Sequence, residues 1–165
     1  MSLVDQAQAL QAEAQSLFTQ LDLGTAFPWQ PILIGSALSG LMVDRDLDIM
    51  FDAPDATATT VLNGLTTLTQ RVDLRNIDFY DERAGRRPTS AITDERFYAV
   101  LHTDTWKIDL TFWLHVADRP HVSDALRLRD APADQRLTIL RLKAAGPDLS
   151  SSDIYRAVLP DGQGT

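Results

Sequence analysis

The chain has 165 residues, one domain's length at roughly 100–200 residues per domain. With 44% hydrophobic and 23% charged residues, it has the make-up of a folded globule rather than a disordered segment. Its formal net charge of −8 argues against general duplex-DNA or RNA binding, which needs a basic footprint to displace counterions, and against an anionic membrane surface. The absence of cysteine excludes disulfides, thiolate nucleophiles and cysteine zinc sites.

The acidity is uneven. Residues 1–70 hold eight acids and a single base, Arg45, whereas the other 95 residues hold 15 acids and 14 bases. Four of the first eight acids fall between Asp44 and Asp52. No apolar run is long enough to span a bilayer. Met1 to Gln20 has neither the basic n-region nor the apolar h-region of a leader, so the expected compartment is the cytoplasm.

In chain order, Leu3, Val4, Ala7, Leu10, Ala14, Leu17, Phe18 and Leu21 recur at helical spacing, and the helix is expected to stop at Gly24. Pro31–Ile34 is a short apolar run read as a buried strand, ending at Gly35-Ser36. Leu47, Ile49 and Phe51 alternate with Asp46, Asp48 and Asp52, the period-two pattern of a second strand. Pro54-Asp55 opens a helix expected to run to about Gln70. Val72–Tyr80 reads as a third strand, and the polar segment Asp81–Thr93 as a mobile loop.

Arg96–His102 and Thr105–His115 alternate strongly and are expected to form a hairpin turning at Thr103-Asp104. That turn places Tyr98 opposite Asp109 and Arg96 opposite Thr111. Helices are expected over Ser123–Arg129 and Ala133–Ala145, the latter ended by Gly146-Pro147. Ser151-Ser152-Asp153 caps a last short helix reaching about Leu159. This order describes an α/β (α+β) class with a mixed β-sheet. It forms a single domain over residues 1–165, with a core at about 31–115 and a helical part at about 120–160.

Three pieces carry chemistry. Residues i and i+2 of a strand share a face, so Asp46 and Asp48 project together, and their mutual repulsion calls for a cation between them. Asp109 is the sole carboxylate in a strand otherwise made of Ile, Leu, Phe and Trp, with Lys107, Thr111 and Trp113 as its face-mates. Gly35-Ser36, at a strand end before a helical turn, offers backbone N–H groups and a hydroxyl suited to phosphate. Together they describe a phosphoryl or nucleotidyl transfer site.

The run Ile34-Gly35-Ser36-Ala37-Leu38-Ser39-Gly40, then Asp46-Leu47-Asp48-Ile49, then Ile108-Asp109-Leu110 resembles the DNA polymerase beta-like nucleotidyltransferase superfamily. The pattern there is hydrophobic-Gly-Ser, a gap, Asp-h-Asp-h and a later h-Asp-h strand. Gly40 matches a second glycine common in small members, such as aminoglycoside and lincosamide nucleotidyltransferases and minimal nucleotidyltransferase antitoxins. Ser39 replaces the Arg often found before it. The resemblance covers Pro31 to Leu114 and implies the nucleotidyltransferase fold, with helices packed on one face of the sheet and C-terminal helices.

It also implies an enzyme that moves a nucleoside monophosphate from a nucleoside triphosphate (ATP or another) to a hydroxyl of a small molecule or protein and releases pyrophosphate. Asp46, Asp48 and Asp109 are its catalytic and Mg²⁺-binding residues, in a two-metal site, and Gly35 and Ser36 hold phosphate. A basic residue of a following helix, Lys143 or Arg141, meets the triphosphate. Arg96, on the carboxylate face, meets phosphate, holds Asp109 in place or forms an ordinary cross-strand ion pair. Superfamily members also serve as non-catalytic modules, antitoxin-like or nucleotide-sensing, and that alternative stands beside the enzyme. No role falls to His102, His115 or His121. Arg83, Arg86 and Arg87 are read as a solvated loop, and Trp113 as packing.

Overall fold

The computed structural model describes residues 1–146 and 150–159. The first helix, α1 (Leu3–Leu21), starts in a capping box in which the Ser2 hydroxyl accepts the Asp5 N–H and the Asp5 carboxylate accepts the Ser2 N–H. It ends at Asp22, in the left-handed region at φ 46°. A four-residue turn, α2 (Leu23–Ala26), follows, so the expected stop at Gly24 falls inside a helical turn and Asp22 makes the break. Then come β1 (Ile32–Ile34), α3 (Gly35–Ser39), β2 (Asp46–Asp52), α4 (Ala58–Leu68) and β3 (Asn76–Glu82). They are followed by β4 (Arg96–His102), β5 (Lys107–Trp113), α5 (His121–Arg129), α6 (Ala133–Ala145) and α7 (Ser151–Val158).

The strands form one mixed sheet in the order β1-β2-β5-β4-β3. The β2–β5 pair is parallel and the other pairs are antiparallel. One face is wholly apolar. Leu47, Ile49 and Phe51 of β2, Ile108, Leu110 and Phe112 of β5, and Phe97, Ala99 and Leu101 of β4 pack with Ala14, Leu17 and Leu21 of α1 and Val61, Leu65 and Leu68 of α4. Phe51 and Phe112 stack at 4.6 Å. The approach of α4 depends on Gly64, where an added Cβ would lie 2.1 Å from the Phe27 ring. The opposite face carries the polar members of each alternation. Beside it a second cluster (Leu41, Leu128, Ile139, Leu140, Ile154) joins α5, α6 and α7. Arg136 of α6 ties this layer together by donating to the carbonyls of Ser39 and Leu128 at 2.9 and 2.8 Å.

Several boundaries differ from the sequence reading for local reasons. The fourth helix begins at Ala58 because Thr57 caps it, accepting the Thr60 N–H at 3.1 Å. Asp55, expected at its positive end, instead accepts the Trp29 indole N–H at 2.7 Å. The third strand runs Asn76–Glu82 rather than Val72–Tyr80, because Val72 and Leu74 turn into the core before pairing begins. The segment expected to be a mobile loop is tied down. Glu95 accepts the Ala84 N–H, Arg87 donates to the Ala84 and Ser90 carbonyls, and Arg83 and Arg86 both fold back on Asp81.

The hairpin turn is four residues, Thr103–Trp106, with the Thr103 hydroxyl accepting the N–H groups of Thr105 and Trp106. His102 therefore pairs Lys107, Tyr98 pairs Thr111 and Arg96 pairs Trp113. This register is two residues from the expected one. A shift of two preserves the face, so Arg96 and Tyr98 remain on the carboxylate side. The α6 helix spans the expected residues, and α7 is capped one residue earlier than read, by Ser150. Pro147, read with Gly146 as the stop of α6, lies outside the described residues.

Candidate active site

The parallel register of β2 and β5 sets Asp48 directly beside Asp109 and Asp46 beside Lys107. Period two then puts all three carboxylates on one face. Each offers an oxygen, and these oxygens lie within 4.8 Å of one another. All three side chains are half-buried. Asp46 Oδ1 and Asp109 Oδ1 are buried without a hydrogen-bond partner, a costly state for a carboxylate oxygen.

The electrostatics follow from that crowding. Burial, then the charges of Asp46 and Asp109, push Asp48 up to about 7. Burial also raises Asp46, against the pull of Lys107. Lys107 reaches Asp109 at 3.3 Å and is itself 44% exposed along its side chain, and its charge offsets only part of the repulsion among the three acids. The donor set is oxygen alone, carries up to three negative charges and leaves two buried oxygens unpartnered. A hard divalent cation such as Mg²⁺ fits these residues.

A raised folded-state pKa on an acid works against folding as pH rises. Below the ordinary carboxylate range Asp48 is protonated in both states, and the contribution vanishes. Between about 4 and 7 the folded chain holds the proton that the unfolded chain has lost, so stability falls as pH rises through that window and stays low above it. Without metal, the melting temperature is expected to drop between pH 5 and 8. Asp48→Asn is expected to flatten that slope. Mg²⁺ is expected to raise the melting temperature more at pH 8 than at pH 5. The size expected is about 1–3 kcal/mol, at roughly 2–4 °C for each kcal/mol in a chain of this length. Thermal melts in EDTA and in Mg²⁺ across this range check it.

Around the carboxylates lies a cleft of about 460 Å³. Gly35 and Ser36 form one wall. Gly35 sits at φ +66°, and a Cβ there would lie 2.6 Å from Asp48 Oδ2, so the backbone passes the carboxylate as closely as only glycine allows. The first turn of α3 carries no side-chain cap, and its first two residues, Gly35 and Ser36, line the cleft.

Lys143, from α6, also lines this end and donates to the Leu41 carbonyl at 2.6 Å. Arg141 is exposed and is not among the lining residues. Arg96 lines the opposite end, paired to Glu82 at 2.9 Å and lying 4.3 Å over the Tyr98 ring. The expected cross-strand ion pair thus exists, and Arg96 sits three strands across from β1 rather than beside the Gly35 turn. Among the described residues the structure therefore brings Gly35, Ser36, Asp46, Asp48, Asp109, Arg96 and Lys143 into one cleft.

Three lining groups had no assigned role in the sequence. Tyr98 stands between Arg96 and Tyr80, and burial together with the neighbouring Asp109 carboxylate raises its phenol above the ordinary range. His121 opens α5 at the cleft mouth, where burial and the Arg119 charge lower its pKa. Ser151 and Ser152, at the start of α7, face the Lys143 end. The Tyr98 signal was present in the alternation of β4. The other two depend on how the C-terminal helices return over the sheet, which no local pattern encodes.

No family model matches the sequence, and no curated protein matches it. Solved structures do match. Cid1, an RNA terminal uridylyl transferase, aligns over 84% of this chain and 39% of its own at 20% identity, with a TM-score of 0.53. A cytoplasmic RNA terminal U-transferase aligns over 86% of this chain and 45% of its own at 17% identity and 0.54. The chain has the nucleotidyltransferase fold. The GLD-2/RNP-8 complex supplies a further match, over 94% of this chain and 64% of the other, at 14% identity and 0.52. The fold expected from the Gly-Ser, Asp-Leu-Asp and Ile-Asp-Leu motifs is the one observed. The chain spans less than half the length of Cid1 and of the U-transferase. No helix among the described residues is long and apolar enough to cross a membrane.

Proposed function

We propose that the chain is a Mg²⁺-dependent nucleotidyltransferase. A hydroxyl oxygen of the acceptor attacks the α-phosphorus of a nucleoside triphosphate, a new P–O bond forms, and pyrophosphate leaves with the broken P–O bond. The single observation that carries this reading is the convergence of Asp46, Asp48 and Asp109, with two buried unpartnered oxygens, against a glycine backbone at positive φ.

In this reading Asp46 and Asp48 hold the cation, and Asp109 completes the nucleophile side and receives the acceptor's proton. When bound, Mg²⁺ supplies charge neutralisation at the α-phosphate and at the attacking and leaving oxygens. Gly35 and Ser36 offer backbone N–H groups and a hydroxyl to the β- and γ-phosphates, and Lys143 stands at the same end to meet their charge. Ser151 and Ser152 extend that wall. The chain's own part in the rate is positioning and fixed charge rather than a covalent intermediate.

The acceptor proposed is a small molecule or a protein hydroxyl. The cations of the cleft support it. Arg96 is already engaged by Glu82, and Lys143 lies at the phosphate end, so among the described residues no basic track leads along the cleft for a polyanion. The matched structures named for RNA uridylyl transfer make an oligoribonucleotide the necessary comparison arm.

The test is pyrophosphate release from each of the four nucleoside triphosphates with Mg²⁺, against small hydroxyl compounds, a tyrosine- and serine-bearing protein panel and an oligoribonucleotide. Release that needs Mg²⁺ and stops with EDTA is expected. Release that persists in EDTA would overturn the metal assignment. Nucleotide binding with no release in any arm would favour a non-catalytic sensor or antitoxin-like module.

A further inference from the structure

In an in-line displacement the attacking and leaving oxygens stand on opposite sides of the phosphorus. The Gly35 turn flanks Asp48 from the β1 side of the sheet. Departure of pyrophosphate there puts attack on the other side, over Asp109 and β4. This step rests on the nucleotidyl-transfer reading above. On β4 the side chain that shares the carboxylate face and lines the cleft beside Asp109 is Tyr98, one pleat from Val100, the direct partner of Asp109.

The Tyr98 ring is held from two sides. Tyr80 stacks on it at 5.8 Å and 26°, and the Arg96 guanidinium lies 4.3 Å over it. Arg96 is fixed in turn by Glu82 at 2.9 Å. A phenol clamped in this way has its ring fixed on the carboxylate face, in the cleft that Asp109 also lines. Asp109 has little else to orient it. One oxygen meets Lys107 at 3.3 Å, and the other, Oδ1, is buried without a partner.

We propose that Tyr98 is a positioning residue acting through Asp109. Its phenol O–H, locked by the Glu82–Arg96–Tyr98 stack, would fix the Asp109 carboxylate in the orientation in which it holds a cation and takes the acceptor's proton. Arg96 then serves the acceptor side by holding Tyr98, and the triphosphate is left to the Gly35 and Lys143 end.

The experiment is Mn²⁺ titration of the full chain followed by electron paramagnetic resonance, in the presence of α,β-methylene-ATP, from which pyrophosphate does not leave. Thermal melts of the same samples accompany it. Wild type is expected to take up two Mn²⁺. Tyr98→Phe keeps the ring and removes the hydroxyl. It is expected to weaken one Mn²⁺ step on the order of tenfold, the usual cost of losing a group that orients a metal ligand. The other step, nucleotide affinity and the melting temperature are expected to stay put. Glu82→Gln is expected to weaken the same step to a lesser degree.

Two wild-type-like Mn²⁺ steps in Tyr98→Phe overturn the inference alone. So does a loss shared by both steps together with a lower melting temperature, which marks Tyr98 as packing. No Mn²⁺ uptake by wild type removes the metal-centre reading itself, and this inference with it.

Discussion

Asp46→Asn is expected to eliminate measurable pyrophosphate release while raising the melting temperature of the metal-free chain. Two consequences of one charge pull in opposite directions. In the folded chain the Asp46 carboxylate is half-buried, one of its oxygens lacks a partner, and its charge is among the causes that raise Asp48. Asparagine keeps the volume and removes the charge, so the repulsion among three carboxylates becomes repulsion between two. The same charge is what a divalent cation binds to. Its loss removes several kcal/mol of transition-state stabilisation, or roughly 10²–10⁴-fold in rate. The paired readout separates a functional acid from a structural one. Removing an acid in a stabilising ion pair lowers the melting temperature, whereas removing one held against its neighbours raises it. An Asp46→Asn chain that melts lower and still releases pyrophosphate would end the case for this cluster as a metal centre.

The carboxylate arrangement was legible in the sequence because β-strand periodicity is local. Asp46 and Asp48 share a face whatever their strand pairs with, and an aspartate amid Ile, Leu, Phe and Trp has few other reasons to be there. What periodicity leaves open is which strand lies beside which. The parallel pairing of β2 with β5, which puts Asp48 against Asp109, is a long-range fact, reached in advance only through the family pattern. The hairpin register shows the opposite case. Thr103 builds a four-residue turn from its hydroxyl, and side-chain capping of that kind is invisible to alternation. Only the even size of the shift kept Arg96 and Tyr98 on the right face. The loop at Asp81–Thr93 misled for a related reason. Its residues are largely exposed but carry internal bonds, because guanidinium groups meet its carbonyls and carboxylates, and Arg119 reaches in from beyond β5 to the Thr93 carbonyl. The helical return over the sheet, which brings Lys143, His121 and Ser151 to the cleft, had legible helix bounds but no marker of direction.

Gly35→Ala is expected to cost roughly 1–3 kcal/mol of stability and about a hundredfold in pyrophosphate release, an effect out of proportion to one methyl group. At φ +66° alanine takes on left-handed strain of about 1–2 kcal/mol. Its Cβ would stand 2.6 Å from Asp48 Oδ2 and 3.3 Å from Asp48 Cβ, closer to the oxygen than packed atoms come. The backbone of β1 is fixed by its pairing with β2, in which Ile34 faces Asp48 itself. The turn therefore has little room to retreat, and the Asp48 carboxylate is the softer partner. The strain is relieved by swinging a proposed metal ligand, and displacement on the order of 1 Å at a reacting centre costs roughly a hundredfold. Mn²⁺ affinity is expected to fall along with activity. Ser36→Ala supplies the control, since it removes a hydroxyl from the same turn without touching Asp48 or the positive φ. That variant is expected to raise the KM for nucleoside triphosphate, with Mn²⁺ affinity and melting temperature near wild type. If Gly35→Ala bound Mn²⁺ like wild type while losing activity, the glycine would serve the phosphates alone. The close approach to Asp48 would then be packing without consequence for the metal.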